Sequence, residues 1–148
     1  MTQSAIPKLP CLGSSVRRAS RALTQQYYEE ALRPLGLRAT QFTILQVLSL
    51  AGEVPQGRLG EMLTMDSTSL TRTLAIMQRQ GWIAERRGDD RRERCLSLAK
   101  TGEAQLKRAL PAWEKVQSRL RRELGEKAWK DLFELTTRLA ELAAESVQ

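Results

Sequence analysis

The chain has 148 residues, enough for one compact domain carrying an oligomerisation element, since a single core typically takes ~100–200 residues. Its 41% hydrophobic and 28% charged content is that of a globular chain able to bury a core, and its 24 Lys and Arg against 17 Asp and Glu give a net charge of +7, which favours an anionic partner such as nucleic acid or an acidic membrane surface. Histidine is absent, which removes the commonest general base, Ser-His-Asp and Cys-His nucleophiles and imidazole-dependent zinc sites, and so argues against an enzyme.

Cys11 and Cys95 lie far apart in sequence, so neither a C-x-x-C metal knuckle nor a disulfide scaffold is indicated and a reducing compartment is expected. The most apolar stretch, Phe42 to Ala51, is half the ~20 residues a membrane-crossing helix needs, and the opening MTQSAIPKLP lacks the apolar run of a secretory leader. The expectation is a soluble cytoplasmic protein that uses no metal and no cofactor.

Past Pro7 and Pro10, apolar residues recur at Leu12, Val16, Ala19, Leu23, Tyr27 and Ala31, marking one face of a long helix that Pro34 and Gly36 end. Thr40 is the expected N-cap of a second helix through Phe42, Leu45 and Leu48, with Gly52 at its C-cap. Gln56 to Leu63 reads as a two-turn helix. Asp66 then caps a fourth helix running to about Gln80, where Gly81 stops it.

From Trp82 the pattern changes to Trp82-Ile83-Ala84, a polar run from Glu85 to Arg94 containing Gly88-Asp89-Asp90, and Cys95-Leu96-Ser97-Leu98, which together read as a hairpin with a charged tip. The rest is helical. Leu106, Leu110, Trp113, Val116, Leu120 and Leu124 form one stripe; Ala128, Leu132, Leu135, Leu139 and Leu142 form another beyond Gly125, and Pro111 is expected to kink the first.

Short helices followed by a two-stranded hairpin are the order of a winged helix-turn-helix, in which one helix enters the major groove and the hairpin reaches alongside. The fourth helix fits this use. At ~100° per residue, Leu70, Leu74 and Met77 share one narrow face, and Thr68, Arg72, Ala75 and Arg79 share the opposite one. Hydroxyls on Ser67, Thr68, Ser69 and Thr71 can donate to phosphates or base edges, and Arg72 can fork onto guanine O6 and N7. The plainer alternative is a solvated helix start rich in capping residues.

In the hairpin, Arg86, Arg87, Arg91, Arg92 and Arg94 are interleaved with Glu85, Asp89, Asp90 and Glu93, a surplus of one positive charge. Such a mixture suits a division of labour, with Asp90 pairing an arginine to fix the loop and Arg92 left for a narrow minor groove. A solvated charged turn is the alternative.

The run from Leu59 to Leu74 (LGEMLTMDSTSLTRTL), then Gln80-Gly81-Trp82-Ile83, Asp90-Arg91-Arg92, Leu96-Ser97-Leu98 and Gly102, resembles the multiple-antibiotic-resistance regulator (MarR) family of bacterial repressors over residues 12 to 145. The resemblance implies a mainly α winged helix-turn-helix with a small β-hairpin. Residues 37–99 would form the DNA-binding part, and 1–36 with 100–148 a helical dimerisation region. It implies a homodimeric repressor on a palindromic operator, with Ser67, Thr68, Ser69, Thr71 and Arg72 in the major groove, Arg92 at the wing tip in the minor groove and Asp90 bracing the wing; Arg91 and Arg38 are further candidate DNA-binding residues. Gly60 stands where the family usually has alanine, and Ala99 where a threonine commonly caps the next helix.

The terminal stripes independently call for a second copy, because they carry more apolar length than a ~60-residue core can cover; Val16, Trp113, Leu120, Leu132, Leu135 and Leu139 are candidates. Two-fold symmetry then puts two reading helices about one DNA turn, ~34 Å, apart. The family resemblance also implies a pocket for a small effector, here aromatic or anionic, with Arg21, Tyr27, Tyr28 and Trp113 as candidate lining. One branch of the family senses organic peroxide through a thiolate near the start of the first helix, so Cys11 is a candidate redox residue. A helical protein-interaction module with an incidental charged hairpin is the competing class. The charge is uneven: six basic against two acidic groups in residues 1–39, eight against seven in 40–99 and ten against eight in 100–148.

Overall fold

The computed structural model describes residues 6–147. Its first helical stretch starts at α1 (Leu12–Leu23), passes through a π-helical turn at Thr24–Tyr28, and continues as α2 (Glu29–Leu32) and a 3₁₀ turn at Arg33–Leu35 before Gly36 ends it at φ +72°. The expected long helix is therefore present with one irregularity. The wider turn rotates the α2 segment relative to α1, so that Leu32 enters the core while Leu12, Val16 and Leu23 stay exposed.

The second long helix, α3 (Ala39–Ala51), begins earlier than expected. Its N-cap is Arg38 rather than Thr40: the Gln41 side-chain carbonyl accepts the Arg38 N–H at 2.9 Å, and the Glu29 carboxylate accepts the Ala39 N–H at 3.2 Å. Those two acceptors satisfy amides that a helix start leaves unpaired, and Thr40 sits inside the helix. Gly52 ends α3 at φ +75°.

Next come β1 (Val54–Pro55), α4 (Gln56–Leu63) and α5 (Ser67–Arg79), then the hairpin strands β2 (Ile83–Arg87) and β3 (Arg94–Leu98). The antiparallel sheet has the order β1-β3-β2, with Val54 opposite Leu96, Ile83 opposite Leu98 and Arg87 opposite Arg94. Gly81 turns the chain from α5 into β2 at φ +75°. One core joins all these elements: Leu32, Leu37, Phe42, Ile44, Leu45 and Leu48 pack with Leu59, Leu70, Leu74, Met77, Ile83 and Leu96.

Helix α6 (Lys100–Leu124) leaves the sheet and packs on α2 and α3, burying Leu106 and Ala109; α7 (Glu126–Glu145) folds back against it. Gly102 lets α6 start close to the hairpin root, since a Cβ there would lie 2.0 Å from the Trp82 carbonyl oxygen. No break in α6 occurs at Pro111. The proline is on an exposed side of the helix, as is Lys107, whose carbonyl loses its i+4 donor and can turn to water instead. Two residues expected to face a second copy are covered within the chain: Leu120 is buried, and Trp113 packs at 5.9 Å on Phe42. By contrast α7 buries no residue, and Leu132, Phe133, Leu135, Leu139 and Leu142 are each between 37% and 56% exposed. Among the described residues no helix is long and apolar enough to cross a membrane.

Candidate nucleic-acid interface

The site is built on α5. Leu70, Leu74 and Met77 are buried on its inner face, each worth roughly 1.5–3 kcal/mol of burial, and this seats the helix. Thr68, Arg72, Ala75 and Arg79 are exposed along the opposite face. At the helix start the Asp66 side chain accepts the Ser69 N–H at 2.9 Å, and that bond holds its carboxyl below the usual carboxylate range. Ser67, Thr68, Ser69 and Thr71 all lie exposed around this first turn. Thr71 is not unengaged, because Gln56 at the start of α4 donates to its hydroxyl at 3.1 Å.

Gly60, buried in α4, faces this helix at close range, with the nearest Leu70 methyl 3.3 Å from where a Cβ would stand. The α4–α5 corner turns through Thr64 at φ +50°.

The hairpin tip is set by its own backbone. The Gly88 N–H donates to the Glu93 carbonyl at 2.8 Å, the Glu93 N–H to the Asp90 carbonyl at 2.8 Å, and the Arg92 N–H to Asp90 Oδ1 at 3.1 Å. The expected partner of Asp90 is thus corrected. It binds a backbone amide, not a guanidinium, as short Asx side chains do in tight turns. The arginine pairs form elsewhere: Arg86 binds Glu53 of the α3–β1 loop through Nε at 2.6 Å and through a second nitrogen, and Arg94 lies 3.4 Å from Glu85. The Arg86 guanidinium holds the Glu53 carboxyl below its ordinary range. Arg72, Arg87, Arg91 and Arg92 have no acidic partner among the described residues. Arg38, at the start of α3, is exposed but ion-paired with Glu29 at 3.4 Å.

The four candidate effector-lining residues fall in two places: Arg21 lies on α1, while Tyr27, Tyr28 and Trp113 lie on or against α6. Arg21 lines a shallow groove on α1 with Arg17, Arg18 and Gln25. The Tyr27 hydroxyl approaches Glu123 at 3.5 Å under the Arg119 guanidinium, Tyr28 donates to Gln117, and Trp113 packs on the core. An open cleft of about 1550 Å³ lies elsewhere, between the end of α7 (Ala140, Ala143, Ala144) and the side formed by α5 and the hairpin tip, where Ser67, Thr71, Asp90 and Arg92 line it.

Cys11 is exposed as the residue before α1, and the Ser14 and Gly13 amides lower its thiol pKa. Burial pushes the Cys95 thiol up. Among the described residues no group of His, Cys, Asp and Glu is placed to hold a metal ion.

Gln56, Glu53 and the Gln78–Glu85–Arg94 cluster escape sequence reasoning. Their partners come from other elements, and only the alternation that puts Glu85 and Arg86 on opposite faces of β2 hints at them.

A helix with a buried apolar face and a bare polar face, next to a hairpin whose tip carries unpaired arginines, defines a winged helix-turn-helix DNA-binding protein. Comparison with known proteins makes this specific. The MarR family model matches residues 37–93. An uncharacterised HTH-type transcriptional regulator of Bacillus anthracis is 31% identical over 78% of both chains. The HTH-type regulator YwoH of Bacillus subtilis is 32% identical over 50% of this chain, and the match spans only about half, 54%, of that relative's length. The M. tuberculosis transcriptional regulator MosR, solved in complex with DNA, superposes with a TM-score of 0.81 at 35% identity over 93% of this chain and 98% of that one. The chain belongs to the MarR family and is a DNA-binding transcriptional regulator; the proteins it resembles are regulators, not enzymes.

Proposed function

We propose that the protein acts in the cytoplasm as a homodimeric repressor on a pseudo-palindromic operator, and that a small aromatic or anionic effector releases it. Residues 37–99 read DNA, and the helices of 1–36 and 100–148 join two copies. The observation that carries the reading is the two-sidedness of α5: its inner face is spent on the core, while Thr68 and Arg72 point outward beside Ser67, Ser69 and Thr71. In the proposed complex Arg72 reads a base edge, while Arg91 and Arg92 enter the flanking minor groove, with Asp90 holding the tip in shape. The bare apolar face of α7 supports dimerisation. The cleft between α7 and the side formed by α5 and the hairpin tip supports release by a ligand, because a molecule wedged there would bias the distance between the two parts.

Selection of duplexes from random DNA, followed by Arg72→Ala and Arg92→Ala, tests it. The wild type is expected to select two half-sites about one turn, ~34 Å, apart, and each variant to weaken binding. Unchanged binding by both variants would overturn the assignment of reading residues, and selection of no duplex at moderate salt would favour a protein-interaction module.

A second reading has its own observation, the exposed Cys11 thiol with its lowered pKa. A thiolate attacking an organic peroxide takes the terminal oxygen to become a sulfenic acid and expels an alcohol. In that case peroxide releases the protein from DNA and Cys11→Ser does not respond; insensitivity of the wild type would retire the idea.

A further inference from the structure

Simultaneous contact with a major and a minor groove requires the reading helix and the wing to keep a fixed separation. Apolar packing fixes only the wing's base: in β2 Ile83 alone is buried, and in β3 the buried residues are Cys95 and Leu96. Level with Leu96 and Cys95, which stand opposite Glu85 and Arg86, the hairpin adds two side-chain bridges to its backbone ladder. On one face Glu85 accepts a hydrogen bond from the Gln78 amide of α5 and lies 3.4 Å from Arg94 on the neighbouring strand, with its side chain 28% exposed. On the other face Arg86, the next residue, grips Glu53 from the α3–β1 loop. Successive strand residues point to opposite sides, so the two bridges hold the hairpin from both faces at the same level.

The geometry points to Glu85 as a positioning residue for DNA recognition, one half of a two-sided clamp, completed by Glu53 and Arg86, that sets where the wing tip stands relative to α5. This rests on the DNA-binding reading of the hairpin. The clamp also sorts the wing's arginines. Arg86 and Arg94 are spent on carboxylates, while Arg87, Arg91 and Arg92 beyond the clamp are left for DNA. In addition, Arg87 and Arg94 stand opposite one another in the ladder, a like-charge pairing that is destabilising on its own and that the Glu85 carboxylate relieves.

A double-mutant cycle tests the assignment, because Glu85 and Arg92 do not touch and independent sites add. With a duplex selected by the wild-type protein, Arg92→Ala is expected to weaken binding about tenfold, the size of a lost arginine contact. In a Glu85→Ala background the same change is expected to cost less than about twofold, since the tip is no longer delivered, whereas the cost of Arg72→Ala stays the same in both backgrounds. Additive costs for Glu85 and Arg92 would overturn the positioning role, and so would equal loss of the Arg72 and Arg92 contributions, which marks general destabilisation. Gln78→Ala removes one leg of the bridge with less risk to folding and is expected to give the same pattern. Amide hydrogen exchange without DNA provides a separate arm: exchange from Arg87 to Glu93 should quicken about tenfold or more in both variants while α5 stays protected. If the wild type selects no duplex, the DNA-binding reading fails, and the exchange arm still decides whether Glu85 holds the wing; unchanged exchange would refute it.

Discussion

Replacing Gly60 with alanine weighs two opposed effects at the seat of the reading helix. Gly60 lies in the interior of α4, buried and at negative φ, so alanine fits its backbone. The exchange should gain about 1 kcal/mol from reduced freedom in the unfolded chain and about 0.8 kcal/mol from one buried methyl. Against this, the new Cβ would stand 3.3 Å from Leu70 Cδ2 and 3.5 Å from the Met65 carbonyl oxygen. The nearer obstacle is the end of a flexible side chain, so a rotamer adjustment of roughly 0.5–1 kcal/mol is the expected cost. The net expectation is a stabilisation of about 1 kcal/mol, or a melting temperature higher by ~2–4 °C for a chain of this size. The assay is a thermal melt at fixed protein concentration, because dissociation of the proposed dimer would make the midpoint concentration-dependent. A fall in melting temperature would refute the reasoning, showing that Leu70 cannot yield and that α5 sits in a socket without slack.

Ala99, the N-cap of α6, makes no side-chain cap bond, so Ala99→Thr should stabilise the protein by about 1 kcal/mol in chemical denaturation. Leu135→Glu combined with Leu139→Glu on the bare face of α7 should leave circular dichroism unchanged but convert dimer to monomer in sedimentation, with loss of tight binding to a two-half-site duplex. Glu53 has a depressed pKa, from its bond to Arg86; its stabilising effect is therefore present above the unfolded carboxylate value of about 4.3 and is lost as pH falls through the lower folded value. Wing exchange protection, corrected for intrinsic rates, should stay level between about pH 5.5 and 8 and weaken only in stronger acid, and Glu53→Gln should remove that acid step.

Where the determinants are local, the sequence is easily read. The bounds of α4, the Asp66 cap of α5, the Gly81 turn and the two faces of α5 each follow from a few adjacent residues, and all are present. The features that escape are non-local. A two-residue strand such as Val54–Pro55 is defined only by its partners Leu96 and Cys95. A π-helical turn leaves the three-to-four spacing of α1 intact and changes only which side faces inward. Apolar periodicity marks Trp113, Leu120 and Leu135 alike as covered faces but does not say by which chain; the first two are covered by their own chain and the last is not. The ion pairs of the hairpin defy reading for a related reason. Glu53, which takes Arg86, lies 33 positions away, while Asp90, the acid nearest the tip, serves the backbone. The basic excess of the first segment lies in part along α1, where Arg17, Arg18 and Arg21 share one groove, leaving a few placed side chains to supply the specificity.

The most direct test of sequence-specific recognition by α5 and the wing is the affinity of the protein for its selected duplex as a function of salt. On α5 and the wing, Arg72, Arg79, Arg87, Arg91 and Arg92 lack acidic partners among the described residues. If about six to eight phosphates are neutralised per dimer, log K should fall by about 5–7 per decade of salt, roughly 10³- to 10⁴-fold between about 50 and 200 mM. Arg92→Ala should flatten that slope by about 2 for the two wings, and Arg72→Ala should relax preference at one base pair of each half-site. A salt-insensitive association, left unchanged by both substitutions, would contradict DNA recognition by these elements.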